Sequence, residues 1–280
     1  MVISISVLDS CEVDLSDSIR PVDSRIWVNA IVGVKDVVKI YVGNTSGVNS
    51  GDKAEYRDDA VVKLKVNSGS YNRLVYRIDS TSANKGYYYY GRLENALEGD
   101  TLSFMSWIPG SDFDTVKGVT YIPRKPEISE PVVSTSIAST GYFMVDIDLD
   151  IPDSLKSSKY FEIRLKEWKY SDINSEYPTI VRDVTLLNDL KLSYGLTWNE
   201  KLNSTLFDYS DLEDSNLHLK FKVKNNYSGI KINFELRAVT KDYYDYFKAL
   251  DGGSIVNSNI INGSGIFAGY AKYSKLYDIK

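Results

Sequence analysis

The sequence predicts an all-β protein of two sandwich-like domains, and three features carry that expectation. Short runs rich in Val, Ile, Tyr and Phe recur about every 8–12 residues, the rhythm of strands joined by turns. Helical periodicity is confined to one short stretch near the C-terminus. A group of prolines, Pro123, Pro126 and Pro131, splits the chain into two parts, each large enough for a domain.

Residues 24–123 read as an immunoglobulin-like sandwich. RIWVNAIV and VVKIYV are β-branched and aromatic, and GVKD between them is turn chemistry. Ala60–Val66 alternates apolar and polar residues, the mark of a half-buried strand, and Tyr71–Ile78 is similar. Tyr87–Arg92 is an aromatic strand. Thr101–Trp107 alternates again after a Gly-Asp turn, and Val116–Ile122 leads into the prolines.

Residues 127–280 read as a second β-rich domain with one short helix. Tyr142–Ile151, Tyr160–Tyr170, Thr179–Leu187, Leu217–Val223 and Ile230–Val239 have strand patterning. Leu190–Asp214 reads as an aromatic loop. The helix is expected over about 241–251, capped by Thr240 and stopped by Gly252 and Gly253. Tyr243, Tyr246, Phe247 and Leu250 would share one of its faces. At that length it must pack on a sheet to persist.

Composition excludes several classes of function. At 280 residues, 43% hydrophobic and 25% charged, the chain is neither disordered nor short of material for a core. A net charge of −5 argues against nucleic acid as a partner. One Cys forbids an internal disulfide framework, and one His forbids a zinc site with two or more histidines. No run approaches the roughly 20 apolar residues of a membrane helix.

Candidate chemistry is sparse. His218 sits in LHLKFKV with Lys220 and Lys222 on the face opposite Leu217, Leu219 and Phe221, which reads as a solvated strand face. No G-x-S-x-G elbow accompanies it. Asp146, Asp148 and Asp150 share a strand face and resemble the opening of a calcium loop, but Ile151 and Ser157 stand where that loop needs Gly and Glu. They remain weak metal candidates beside the simpler solvated face. Trp107, Trp168 and Trp198 lie near expected loops, so a sugar platform stands beside ordinary packing. No cofactor is expected.

Leu8 and Ser10 precede Cys11, a pattern that lipoprotein signal peptidase accepts, and EVDLSDSIRPVD behind the Cys reads as an acidic tether. Residues 1–23 are accordingly expected to be a signal remnant, a lipidated Cys11 and a tether. A frayed strand with a buried thiol is the alternative.

The C-terminal ELRAVTKDYYDYFKAL and SIVNSNIINGSGIFAGY are the most distinctive stretches, with Ser258, Asn259, Ile260, Asn262, Gly263, Gly265, Ile266, Phe267 and Gly269 in the pattern S-N-I-x-N-G-x-G-I-F-x-G. Together with Cys11, RIWVNAIV and GYYYYGRLENALEGDTLSFMSW they resemble domain-of-unknown-function family 4249, lipoproteins of Bacteroidota, over about residues 11–275. The resemblance implies an outer membrane, lipid-anchored, cell-surface protein found beside TonB-dependent receptors. It implies no reaction. The expected function is a non-catalytic binding or accessory subunit of a TonB-dependent uptake system. Its expected partners are the receptor and, through the acyl anchor, the lipid bilayer. Alternatives are a surface glycoside or peptide hydrolase and a structural or adhesion protein of the envelope. Tyr243, Tyr246, Phe247, Asn259, Asn262 and Phe267 are the residues expected to serve partner docking, against the alternative that the segment only closes the second domain.

Overall fold

The computed structural model describes residues 24–279 except 35, 46–54, 80–85, 94, 140, 171–177, 179, 185–190, 193–195, 197, 199–202, 213–214, 225–228 and 253–257. Cys11 and the expected tether therefore lie outside the described residues.

The first part contains β1 (Ile26–Gly33), β2 (Val37–Asn44), β3 (Glu55–Tyr56), β4 (Val61–Val66), β5 (Asn72–Arg73), β6 (Val75–Asp79), β7 (Gly86–Arg92), β8 (Thr101–Trp107) and β9 (Val116–Tyr121). One sheet runs β1-β2-β7-β6 and the other β5-β4-β8-β9. Strands one, two, five and four of a sandwich on one side, with three, six and seven on the other, is the immunoglobulin-like arrangement. Alternation drives it. Ile26, Val28, Ala30 and Val32 point inward from β1, and Val62, Leu64, Leu102 and Phe104 meet them from the opposite sheet.

The second part contains β10 (Val132–Ser139), β11 (Tyr142–Asp150), β12 (Tyr160–Tyr170), β13 (Ile180–Asp183), β14 (Lys191–Leu192), β15 (Ser204–Asp208), β16 (Asn216–Lys224), β17 (Gly229–Val239), α1 (Lys241–Asp251) and β18 (Ser264–Ile279). Sheet β10-β11-β16-β14 faces the run β13-β12-β17-β18, which repeats the same sandwich plan. Ile147, Ile163, Phe221 and Phe234 lie in its core.

The two sandwiches share a strand. From Tyr270 to Ile279, β18 pairs antiparallel with β17. From Ser264 to Tyr270 it pairs parallel with β1. One sheet of ten strands therefore runs through both halves. Ile260, Phe267 and Ala271 belong to the first core, whereas Tyr273, Tyr277 and Ile279 pack on the second. This corrects the expectation that 127–280 serves the second domain alone. The prolines do mark the passage from β9 to β10, but the chain returns to the first sandwich near its end.

The expected helix is α1, and Thr240 Oγ1 accepts the Tyr243 N–H at 3.4 Å as its N-cap. It lies on the outer face of the ten-stranded sheet, above a third apolar cluster of Leu206, Val239, Ile266, Ala268 and Tyr270. Ile31 of β1 joins that cluster, so the helix covers residues of both sandwiches. No helix among the described residues is long and apolar enough to cross a membrane.

Candidate functional site

The segment from Thr240 to Tyr270 lies where the sandwiches meet, and its polar residues act as fasteners. The Asn259 amide accepts the Phe267 N–H at 2.9 Å and donates to the Phe267 carbonyl at 2.8 Å and to Asp242 at 2.9 Å. It thereby fills the side of β18 away from β1, where the pairing with β17 has ended. Asn262 holds a left-handed backbone, φ +60°, and its amide donates to the Thr115 carbonyl at 3.3 Å. Ile261 forms an antiparallel bridge to Lys117, with backbone bonds of 2.8 and 3.2 Å.

The glycines of the motif permit close backbone approach. A Cβ on Gly265 would lie 1.9 Å from the Val28 carbonyl oxygen, and one on Gly269 1.9 Å from that of Tyr121. Phe267 is fully buried, its ring centroid 4.8 Å from that of Phe104. Tyr243 and Phe247 are also buried, Tyr246 and Asn259 are half-buried, and Asn262 is exposed. Direct contact of Tyr243, Phe247 and Phe267 with a partner is therefore corrected to a packing role, because their rings fill the junction. The segment also closes the first sandwich, not only the second.

Below the helix the register of β12, β17 and β18 lines up charges. Glu162 stands beside Arg237, and Arg237 beside Lys272. Arg237 pairs with Glu235 at 2.6 Å and Glu162 at 3.5 Å, and its guanidinium lies 4.6 Å over the Tyr270 ring. Tyr243 donates its hydroxyl to Glu162 at 2.9 Å, and Tyr270 donates to Asp36, which also pairs with Lys272 at 3.2 Å. Burial raises the Glu235 carboxyl, but the charges of Arg237 and Lys166 outweigh it and hold it below its ordinary value. Burial and the adjoining Glu162 charge push the Tyr243 hydroxyl up. Each ion here has a partner, so the network serves to join strands; removing one member would strand the others.

Beside this junction lies a strip of exposed apolar side chains. Ile261 (59% exposed), Val119 (56%) and Tyr121 (49%) project outward from the bridge and from β9. Lys117, Val119 and Tyr121 share the outer side of that strand, and Ile261 stands opposite Lys117. The strip runs towards Asp242 and Tyr160, whose charges, after burial, help to raise the Tyr121 hydroxyl. Sequence reasoning missed this strip, because Ile261 reads as loop and Val119 as core until strand pairing is known.

The remaining candidates resolve into strand-face ion pairs and ordinary packing. Asp146 pairs with Lys220 at 2.9 Å, Asp148 with His218 at 2.7 Å, and Asp150 stands across from Asn216. Two of the three carboxylates thus face Lys220 and His218 on β16 and the third faces the neutral Asn216, and among the described residues no group of three acidic, His or Cys side chains could hold a metal. Trp107, Trp168 and Trp198 do not share a face: Trp107 has the Lys63 amine 5.2 Å over its ring, Trp168 lies on β12, and Trp198 packs on the second core.

Two open clefts hold acid pairs. The larger, about 610 Å³, contains Asp153, Lys156, Lys159, Asp208 and Tyr209. Bonds from Lys156 and Tyr209 hold the Asp153 carboxyl low. Burial lifts Asp208, but Ser210 and Lys159 more than offset it and hold it low as well. Neither is poised as a proton donor near neutrality, which a glycosidase acid requires. The second cleft, about 540 Å³, includes Arg25, Asp112, Asp114, Asn262 and Gly263.

Topology and junction define a class: an all-β chain of two immunoglobulin-like sandwiches welded by a common strand. The chain belongs to the family described as Domain of unknown function (DUF4249), whose model matches residues 9–276. No curated protein matches it. Among solved structures it is similar to bovine butyrophilin at 6% identity, covering 76% of this chain and 92% of that one, with a TM-score of 0.21. It is also similar to chicken CNTN1 FN1-FN3 domains at 11% identity, covering 90% of this chain and 63% of that one, with a TM-score of 0.26. The sandwich assignment rests on strand order rather than on these superpositions.

Proposed function

We propose that this protein is a non-catalytic accessory or binding subunit of the cell envelope, lipid-anchored through Cys11 and docked on a TonB-dependent outer-membrane receptor. The observation that carries the reading is the apolar strip of Ile261, Val119 and Tyr121 beside the segment most typical of the family. Exposed apolar side chains on a rigid junction supply buried area at little entropic cost. The buried residues of the segment support that surface from behind. The acid pair of the larger cleft, held low on both sides, argues against hydrolysis there.

The test uses native outer membranes and the full chain. Val119→Asp with Ile261→Asp should release a co-purifying β-barrel receptor on detergent extraction while the melting temperature stays within a few degrees, since both side chains are more than half exposed. Intact mass should show acyl chains on Cys11 and no residues 1–10. Wild-type protein extracted without any barrel partner, or a double variant that keeps it, would overturn the docking. An unmodified Cys11 would overturn the anchor.

A further inference from the structure

We propose that β10 is a homotypic edge, through which two copies of this chain join their sheets by antiparallel pairing of β10 with itself. The strand ends the sheet β10-β11-β16-β14 and hydrogen-bonds to β11 on one side. No described strand lies on its other side. An open edge is a template for another strand, and folded proteins guard edges with charge, bulges or cover.

The other edges are guarded in that way. β5 ends in Arg73, β6 carries Arg77 and β9 carries Lys117. Val132–Ser139, with the sequence VVSTSIAS, holds no charged residue at all. It also carries the most exposed large apolar side chains among the described residues, Ile137 at 81% and Val132 at 67%. An edge lacking charge and offering apolar side chains is suited to being covered.

The pattern of the strand states what covers it. Val133-Ser134-Thr135-Ser136-Ile137 reads nearly the same in both directions about Thr135. Antiparallel pairing centred on Thr135 sets Thr135 against its own copy, Ser134 against Ser136, and Val133 against Ile137. This register preserves the faces. Val133, Thr135 and Ile137 lie beside Ile147, Val145 and Phe143 on the core side of β11, whereas Ser134 and Ser136 lie beside Asp146 and Met144 on the outer side. Apolar residues thus meet apolar ones and hydroxyls meet hydroxyls. A two-fold interface demands such self-complementarity, and recognition of a foreign strand does not. The irregularity between Ile137 and Ser139 ends the regular pairing where the palindrome ends. Two four-stranded sheets would become one of eight (4 + 4).

The test is sedimentation of the full chain carrying Cys11→Ser, across about 1 µM to 1 mM, the range in which a short interface should assemble. Wild type should pass from monomer to dimer. Ser134→Lys with Ser136→Lys brings four like charges together and should weaken the dimer by about tenfold or more. Ser134→Lys with Ser136→Glu sets unlike charges opposite each other and should restore it to within about threefold of wild type. Both positions are exposed, and circular dichroism should show an unchanged fold. Hydrogen exchange of wild-type β10, which needs no variant, should slow as concentration rises. A monomer throughout the range, a dimer indifferent to the two lysines, or equal loss from the Lys/Lys and Lys/Glu pairs would each overturn the proposal.

Discussion

Gly269→Ala should destabilise the whole molecule, although it adds one methyl group. A Cβ at Gly269 would lie 1.9 Å from the Tyr121 carbonyl oxygen and 2.9 Å from its carbon. Ordinary contact starts near 3.4 Å, so β18 and β9 must separate by 3.4 − 1.9 = 1.5 Å. Backbone lies on both sides, so no side-chain rotation relieves the clash. Overpacking of this kind costs about 1–3 kcal/mol. Separation also lifts Phe267 from Phe104, and partial loss of that burial brings the expected total to about 3 kcal/mol. At roughly 2–4 °C per kcal/mol the melting temperature should fall by about 6–12 °C. Calorimetry measures it. Gly110→Ala is the control: its φ of +73° is strained for alanine, but nothing lies within 4 Å of the new methyl. It should cost about 1 kcal/mol. A melting temperature unchanged by Gly269→Ala, or lowered more by Gly110→Ala, would refute the placement of β18 against β9.

Other outcomes follow from the same junction. Phe267→Ala should cost about 3–5 kcal/mol by denaturant unfolding, with receptor binding by the folded fraction unaltered. Tyr243→Phe removes one bond from Glu162, which keeps Arg237 and Arg164 as partners, and should cost about 1–2 kcal/mol. Because the Glu235 carboxyl is held below its ordinary 4.5, its contribution is present above that value and is lost as pH falls through the folded one; Glu235→Gln should therefore flatten the acid limb of a stability–pH curve. His218→Ala should change stability by less than about 1 kcal/mol, since its bond to Asp148 is made at a solvated surface.

Most of the fold was legible because most strands bury one face. RIWVNAIV, AVVKLKV, TLSFMSW and YFMVDIDLD alternate, and each is a strand at its expected place. Apart from the two-residue strands β3 and β14, three strands were not legible. β15, STLFD, is enclosed on both faces and too short to show a period. β10 carries almost no contrast between its faces, since even Ile137 is exposed. β18 begins with glycines that read as turns. They are present because the helix covers one of its faces and backbone from β1 and β9 crowds the rest, leaving no room for side chains at Gly265 and Gly269. The helix and its cap were legible, but not what it covers. Apolar spacing gives the inward face of an element, whereas its partner depends on strand order.

That difference explains why the aromatic segment looked like a docking surface and serves as a joint. Tyr, Phe, Gly and Asn suit an interface between proteins for the same reasons that they suit one between domains. Rings fill area at low entropic cost, glycines let backbones approach, and an Asn amide can replace a missing strand neighbour. Composition alone does not separate the two uses; burial does. Phe267 lies at the meeting of both sandwiches with none of its surface exposed, while Ile261, six residues earlier, has 59% of its surface in solvent. A partner could reach Ile261, its exposed neighbour Asn262 and the outer residues of β9, but not Phe267. Because β18 passes through both cores, anything bound there bears on a strand whose far half is held by β17. Docking at the first sandwich would therefore be mechanically tied to the second without a flexible hinge between them, and unfolding of either should entail the other in a single cooperative transition.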